Sequence, residues 1–246
     1  MGPLLYDINS AWAGKTEPPG AVGSKFLETL EALGRIRPSF KGWASSDDDE
    51  SDDYPIESIR DRIGEWVIAH PPPNEEPAPW QSGIGCWVYA VSDRGLGDGP
   101  SRQAEFHVRA GSTYRNYNHF EVGASLDPPD LSFITFPLYK AALLTMVSIW
   151  PAPWASARCS IWGEQPSTLA GEPPFPYSAF QMPWIAYLNA ERAATVDVPP
   201  SVSTERAPDG GLLMVATEAR FDPTNVQHMR ASRLIAQIMI EHADEP

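Results

Sequence analysis

The side chains best suited to chemistry are four that alternate along two neighbouring runs, Glu105 and His107 in the first, His119 and Glu121 in the second. Histidine titrates near neutrality and binds metals through a ring nitrogen, and a carboxylate beside two histidines supplies a third ligand. If the runs pair as strands, His107 and His119 become cross-strand neighbours, a set that a metal-dependent hydrolase could use. No ligand-spacing motif accompanies them, and the same residues make an ordinary wet sheet face. Asp127 and Asp130 form another carboxylate pair, but the prolines between them make turn residues the simpler reading. Gly20-Ala-Val-Gly-Ser-Lys25 resembles a phosphate loop only superficially, because the four-residue gap between glycines is missing and prolines precede it where a strand is required. No G-x-S-x-G, H-E-x-x-H, C-x-x-C or G-x-G-x-x-G occurs, so a serine, zinc or dinucleotide mechanism has no local support. The expectation is a binding protein that is not an enzyme and carries no metal or cofactor. Cys86 and Cys159 each fall inside a strand-like run and are expected as buried thiols rather than a disulfide.

The elements that would position these residues follow from periodicity. Leu4 to Trp12 reads as an opening strand, and AGKTEPPGAVG, with its Pro-Pro and glycines, as a loop. Ser24 is a competent N-cap, and Phe26, Leu27, Leu30 and Leu33 then recur at helical spacing until Pro38. Pro55 opens a second helix whose stripe is Ile56, Ile59, Ile63, Trp66 and Val67. Strand-like runs cover residues 83–92, 103–109 and 118–125, with apolar Phe106, Val108, Phe120 and Val122 alternating against polar His107, Arg109, His119 and Glu121. That pattern predicts an antiparallel meander with one face buried and one wet. Pro137 starts a third, largely buried helix that ends before Pro151. Residues 155–162, 184–188 and 211–216 are further strands. Asp222 and Thr224 cap a last helix with its stripe at Ala231, Leu234, Ile235, Ile238 and Met239, which His228 and His242 border as packing histidines. The expected fold is α+β, a mainly antiparallel sheet packed by amphipathic helices in a single compact domain over 1–246. An acidic loop at 44–54 and proline-rich segments at 70–79 and 164–183 interrupt it.

The chain has 246 residues and a formal net charge of -14. Its own field opposes direct binding to nucleic acid or an anionic membrane and draws in a basic partner. Six acids, Asp47, Asp48, Asp49, Glu50, Asp52 and Asp53, fall in one short run. Such a run is either a solubilising loop or a docking element. Loop aromatics Tyr114, Tyr117, Trp150, Trp154, Phe175, Tyr177 and Phe180 are of the type that anchors interfaces, although core packing fits any one of them. No stretch approaches the roughly 18 apolar residues of a membrane span, and no leader pattern opens the chain, so the cytoplasm is the expected location.

Five segments together resemble the immunity protein 52 family: Tyr6 to Trp12; FLETLEAL with Phe40-x-x-Trp43; a strand-rich middle; Pro183-Trp184-x-x-Tyr187-Leu188; and, most specifically, Asp209-Gly-Gly-Leu-Leu-Met-Val-Ala-Thr-Glu-Ala-Arg-Phe-Asp222. The resemblance spans nearly the whole chain. It implies an immunity protein that binds a cognate toxin in the cytoplasm, commonly a nuclease effector of contact-dependent or type VI secretion systems, and blocks it non-covalently. In the most specific block, Gly210 and Gly211 permit a turn, Leu212 to Ala216 read as a buried strand, and a Glu218–Arg220 charge pair with Asp222 as cap would hold the corner. The residues expected to touch the toxin are the six acids together with Tyr114, Tyr117 and Tyr177. The alternatives are the hydrolase above or a structural, phage-assembly component.

Overall fold

The computed structural model describes residues 4–37, 40, 42–45, 54–69, 85–92, 104–113, 118–123, 131–150, 152–161 and 182–242. Two compact units emerge, one from residues 1–10 and 127–246, the other from residues 11–126. Both are antiparallel sheets packed by helices, the α+β class expected.

In unit one the strand order is β1 (Leu4–Trp12, whose last two residues belong to unit two), β7 (Trp154–Ile161), β8 (Pro183–Leu188), β10 (Leu212–Val215) and β9 (Ser203–Arg206). Every residue of β8 and β10 is buried. Both faces are therefore covered, which is why these strands read as continuous apolar runs rather than alternations. The covering helices are α4 (Phe136–Ile149), the short α5 (Ala190–Ala193) and α6 (Val226–His242). Trp184 of β8 is fully buried and meets Tyr6 edge-on at 6.2 Å and the α4 ring of Tyr139 at 5.3 Å. Its Nε1 donates to Thr217 O at 2.8 Å, so the one polar atom of the ring is satisfied. Trp150 and Trp154, candidates for exposed loop anchors, are core residues instead.

The last helix starts one turn away from the expected cap. Asn225 Oδ1 accepts from the N–H groups of Gln227 and His228, at 2.9 and 3.4 Å, and is the N-cap. Asp222 instead closes a turn ahead of it, accepting from Thr224 N at 2.8 Å and Thr224 Oγ1 at 2.7 Å. These bonds hold the Asp222 carboxyl below the usual carboxylate range. The anticipated stripe is met at Ile235, Ile238 and Met239, with Leu234 and Ala231 half-buried.

Unit two has strand order β3 (Tyr54–Pro55), β2 (Ala44–Ser45), β4 (Cys86–Val91), β5 (Glu105–Ala110) and β6 (Asn118–Gly123). Helix α1 runs Pro19–Ile36, five residues longer at its start than its apolar period suggests. Proline at the first helical position costs nothing, because that N–H has no intrahelical partner. Gly20 and Gly23 then belong to a helix crossing: a Cβ on Gly23 would lie 2.8 Å from Ile63 Cγ1, and one on Gly64 would lie 3.1 Å from Gly20 Cα. Arg37 leaves α1 in an extended conformation, as the residue before proline must. The second predicted helix keeps its stripe but is broken into α2 (Ile56–Ile59), a 3-10 turn at Arg60–Arg62, and α3 (Ile63–Ala69). Phe26 of α1 stacks on Phe106 of β5 at 5.4 Å and joins helix to sheet.

Cys86 and Cys159 are free and buried. Burial pushes their thiols up to about 11 and about 12, which keeps them protonated and unreactive. Among the described residues no helix is long and apolar enough to cross a membrane.

Candidate functional site

The histidine face forms as the alternation dictated. In the β5–β6 ladder His107 pairs with Glu121 and Arg109 with His119, while Val108 and Phe120 face the core. The two histidine rings meet edge-on at 5.7 Å. Desolvation, then the charge of Arg109, lowers the His107 pKa to about 4. The ring is therefore neutral at pH 7, and its 3.9 Å approach to Glu121 Oε2 is a dipolar contact rather than an ion pair. Among the described residues no three His, Cys, Asp or Glu side chains are placed to hold a metal ion.

His107 bears instead on stability. Its unfolded value is 6.5 and its folded value about 4, so between those limits the unfolded chain binds a proton that the folded one refuses. Stability contributed by the neutral ring is complete above pH 6.5 and is lost as pH falls towards 4. Each unit is worth about 1.4 kcal/mol. We expect His107→Gln to flatten this acid limb by roughly 2 kcal/mol after allowance for partial exposure. Denaturant unfolding at pH 7 and pH 4.5 of both proteins checks it, and parallel acid limbs would refute it.

The residues expected to touch a toxin all lie outside the described residues, so only the chain next to them is described. Asp47, Asp48, Asp49, Glu50, Asp52 and Asp53 lie outside the described residues, but the chain on either side pairs, Ala44 with Pro55 and Ser45 with Tyr54. The acidic run thus joins two paired strand ends at one edge of the unit-two sheet. Beyond it, Glu57, Asp61 and Glu65 are exposed along α2, the 3-10 turn and α3. That continuation was missed in the sequence because those acids read only as the polar side of an amphipathic helix. Tyr177 also lies outside the described residues, as do the proline-rich segments, apart from Met182 and Pro183 at the end of the second one.

Tyr114 and Tyr117 are likewise outside the described residues; the described residues before and after them, Ser112 and Asn118, bond to each other. Ser112 N donates to Asn118 Oδ1 at 2.9 Å, and Asn118 Nδ2 donates to Ser112 O at 3.0 Å and to Ala13 O at 3.1 Å. Lys15 N donates to the same Ser112 carbonyl at 2.8 Å. Gly111 takes a φ of 83°, and a Cβ there would fall 2.7 Å from Glu17 O. Glu17 is in turn held by Lys25 of α1 at 2.8 Å.

The Asp209–Asp222 block has a structural account of its own. Asp209 Oδ1 accepts from Gly211 N at 2.9 Å, and its other oxygen accepts from the Tyr187 hydroxyl. A Cβ on Gly211 would come 2.5 Å from the Tyr187 ring, so only glycine fits. At the far end the Tyr6 hydroxyl donates to Phe221 O at 2.8 Å, and Asp222 N donates to His228 Nδ1 at 3.1 Å. The corner is therefore held by buried aromatic hydroxyl and indole donors and by turn and cap bonds. Glu218 and Arg220 are exposed, and no ion pair between them occurs among the described residues.

The family model described as immunity protein 52 matches residues 123–243. That span nearly coincides with the larger segment of unit one and contains the Pro183–Leu188 and Asp209–Asp222 motifs; the motifs from Tyr6 to Trp43 lie outside it. Among solved structures the chain is similar to the Pseudomonas aeruginosa T6SS protein PA0821, at 11% identity and a TM-score of 0.50, over 98% of this chain and 76% of that one. At this identity the likeness is one of fold. No curated protein matches the chain.

Proposed function

We propose, from the match of residues 123–243 to the immunity protein 52 family model, that the protein binds a cognate bacterial toxin and neutralises it by non-covalent contact, without catalysis. The family match is the observation that carries this reading. The charge supports a particular kind of toxin: a nuclease must present a basic face to DNA phosphates, and a chain of net charge -14 is drawn to such a face and competes with DNA for it. On this reading the complex forms in the cytoplasm, where the nuclease would act. The contacts are the six acids between β2 and β3 together with Tyr114, Tyr117 and Tyr177. Tyrosine supplies contact area at small entropic cost, which suits it to such loops.

The test is co-expression with the product of the adjacent gene. We expect that product to arrest growth alone, and this chain to restore growth and co-purify with it. A harmless product, or no rescue, sinks the proposal. Within the complex, changing the six acids to Asn or Gln is expected to slow association about tenfold or more at low salt and to flatten its salt dependence, since steering acts mainly on the on-rate. Unchanged kinetics would assign the run to solubility.

A further inference from the structure

We infer that the outer edge of β9 takes an extended strand of the toxin, one that sets a Lys or Arg opposite Glu205 and apolar side chains beside it on the same face. The inference rests on the toxin-binding reading and goes beyond it by naming a contact in unit one. β9 closes the sheet: β10 lies on one side, and among the described residues no strand lies on the other. Ala207 N donates to Gly211 O at 2.9 Å. Bonded positions alternate along an antiparallel pair, so the backbone groups of Glu205 and Ser203 turn to β10, and those of Thr204 and Arg206 point away from it. All four side chains are exposed. An open row of this kind is a template for another strand, with main-chain bonds giving affinity and alternate side chains giving specificity.

Helix α4 supplies the specificity. Lys140 donates to Glu205, and its ammonium stands 5.8 Å from the centre of the Phe136 ring. Phe136, Lys140 and Leu144 follow one another at four-residue intervals, so they share one side of α4, and all three are half-buried. The side of α4 that reaches the edge strand is therefore apolar before and after its one cation. The Glu205 side chain is still 53% exposed, which leaves room for a second cation across the strand. A second copy of this chain fits poorly. Two β9 strands paired about a twofold axis set outward residues against outward residues, and the two registers of largest overlap place either Glu205 or Ser203 opposite Glu205. The first opposes like charges, and neither lays an apolar side chain beside α4.

The full chain and the product of the adjacent gene are the reagents of the test. In the wild-type protein, the amides of Thr204 and Arg206 should exchange hydrogen at least tenfold more slowly in the complex than in the free chain, while those of Ser203 and Glu205 change little. Equal rates at Thr204 and Arg206 overturn the inference. Thr204→Pro removes an outward N–H and spares the β10 ladder; it should speed dissociation about tenfold, whereas Thr204→Ala, which keeps that N–H, should dissociate as the wild type does. Wild-type dissociation of a folded Thr204→Pro also overturns the inference, and if that variant does not fold, the exchange rates decide. Protection of Thr204 and Arg206 that grows with the concentration of the free chain would give the edge to a second copy instead. A wild-type chain that does not bind the adjacent gene's product removes the toxin reading itself; one that binds while these two amides stay unprotected removes only the strand pairing.

Discussion

Trp184→Ala is expected to destabilise the protein by about 3–5 kcal/mol, the range for deleting a large aromatic side chain from a closed core. The value should fall at the upper end. Trp184 is wholly buried on a strand with no exposed residue, so the surroundings cannot collapse into the void by moving a surface loop. It is also a hub: Tyr6, Tyr139 and Phe136 all pack on its ring, at 6.2, 5.3 and 6.5 Å. Truncation leaves the Thr217 carbonyl without the indole donor it now receives, a further cost of about 1–3 kcal/mol unless water enters. Against a typical total of about 5–15 kcal/mol, this removes much of the margin. Denaturant unfolding should show a midpoint shifted far down, and on the proposed function the variant should fail to rescue growth at 37 °C. A change under about 1 kcal/mol, smaller than the loss of the side chain's burial alone, would refute the hub role.

The contrast between Trp184 and its neighbours shows what the sequence could reveal. The β8 and β10 runs were legible because burial on both faces leaves an uninterrupted apolar string. The β5 and β6 runs were legible because burial on one face leaves alternation at Phe106, Val108, Phe120 and Val122. Strand β9 carries neither signal, since all four of its side chains are exposed; it becomes a strand through its register with β10, Arg206 opposite Leu212 and Ser203 opposite Val215. The start of α1 was misplaced for a related reason. Pro-Pro-Gly reads locally as a breaker, whereas its glycines answer to Ile63 and Gly64 some forty residues on. Tertiary close approach leaves no local period. Asn118 is the same lesson: the alternation places it at the start of a strand, but nothing local signals its bond to Ala13, which spans 105 positions. The acids and tyrosines, by contrast, are proposed as contact residues from their type alone, because interface propensity belongs to the side chain rather than to its place in the fold.

The family span also leaves out something that unit one needs. Strand β1 pairs with β7 from Leu4 opposite Ile161 to Asn9 opposite Ser156, and it delivers Tyr6 and Ile8 to the core. Residues 123–243 alone would lack that strand and the Tyr6 hydroxyl that binds the Phe221 carbonyl. The N-terminal motif is thus tied to the Arg-Phe-Asp corner by a hydrogen bond across the sheet.

Within the same β1–β7 pairing, Arg158→Met is expected to cost about 1.5–3 kcal/mol, the range for losing a part-buried hydrogen bond between charged groups. Asp7 lies directly opposite Arg158 in register, is 7% exposed, and accepts from Arg158 Nε at 2.6 Å. On this account the larger part of the penalty is the weakened compensation of the Asp7 carboxylate rather than the loss of the arginine's own packing. It follows that Asp7→Leu/Arg158→Met should recover most of the loss, since an apolar pair of similar volume has no charge to desolvate. The pH dependence separates this account from a simple packing defect. Without Arg158 the buried carboxyl prefers its neutral form, so the folded variant takes up a proton at a pH where the unfolded chain, with a carboxyl near 4, does not. Folding is then favoured by acid, and the deficit of Arg158→Met relative to wild type should shrink as pH falls from 7 towards 5. The double variant should show no such trend. A deficit independent of pH, or a double variant as unstable as the single, would mean that the methylene stem of Arg158, rather than its charge, supports the strand pair.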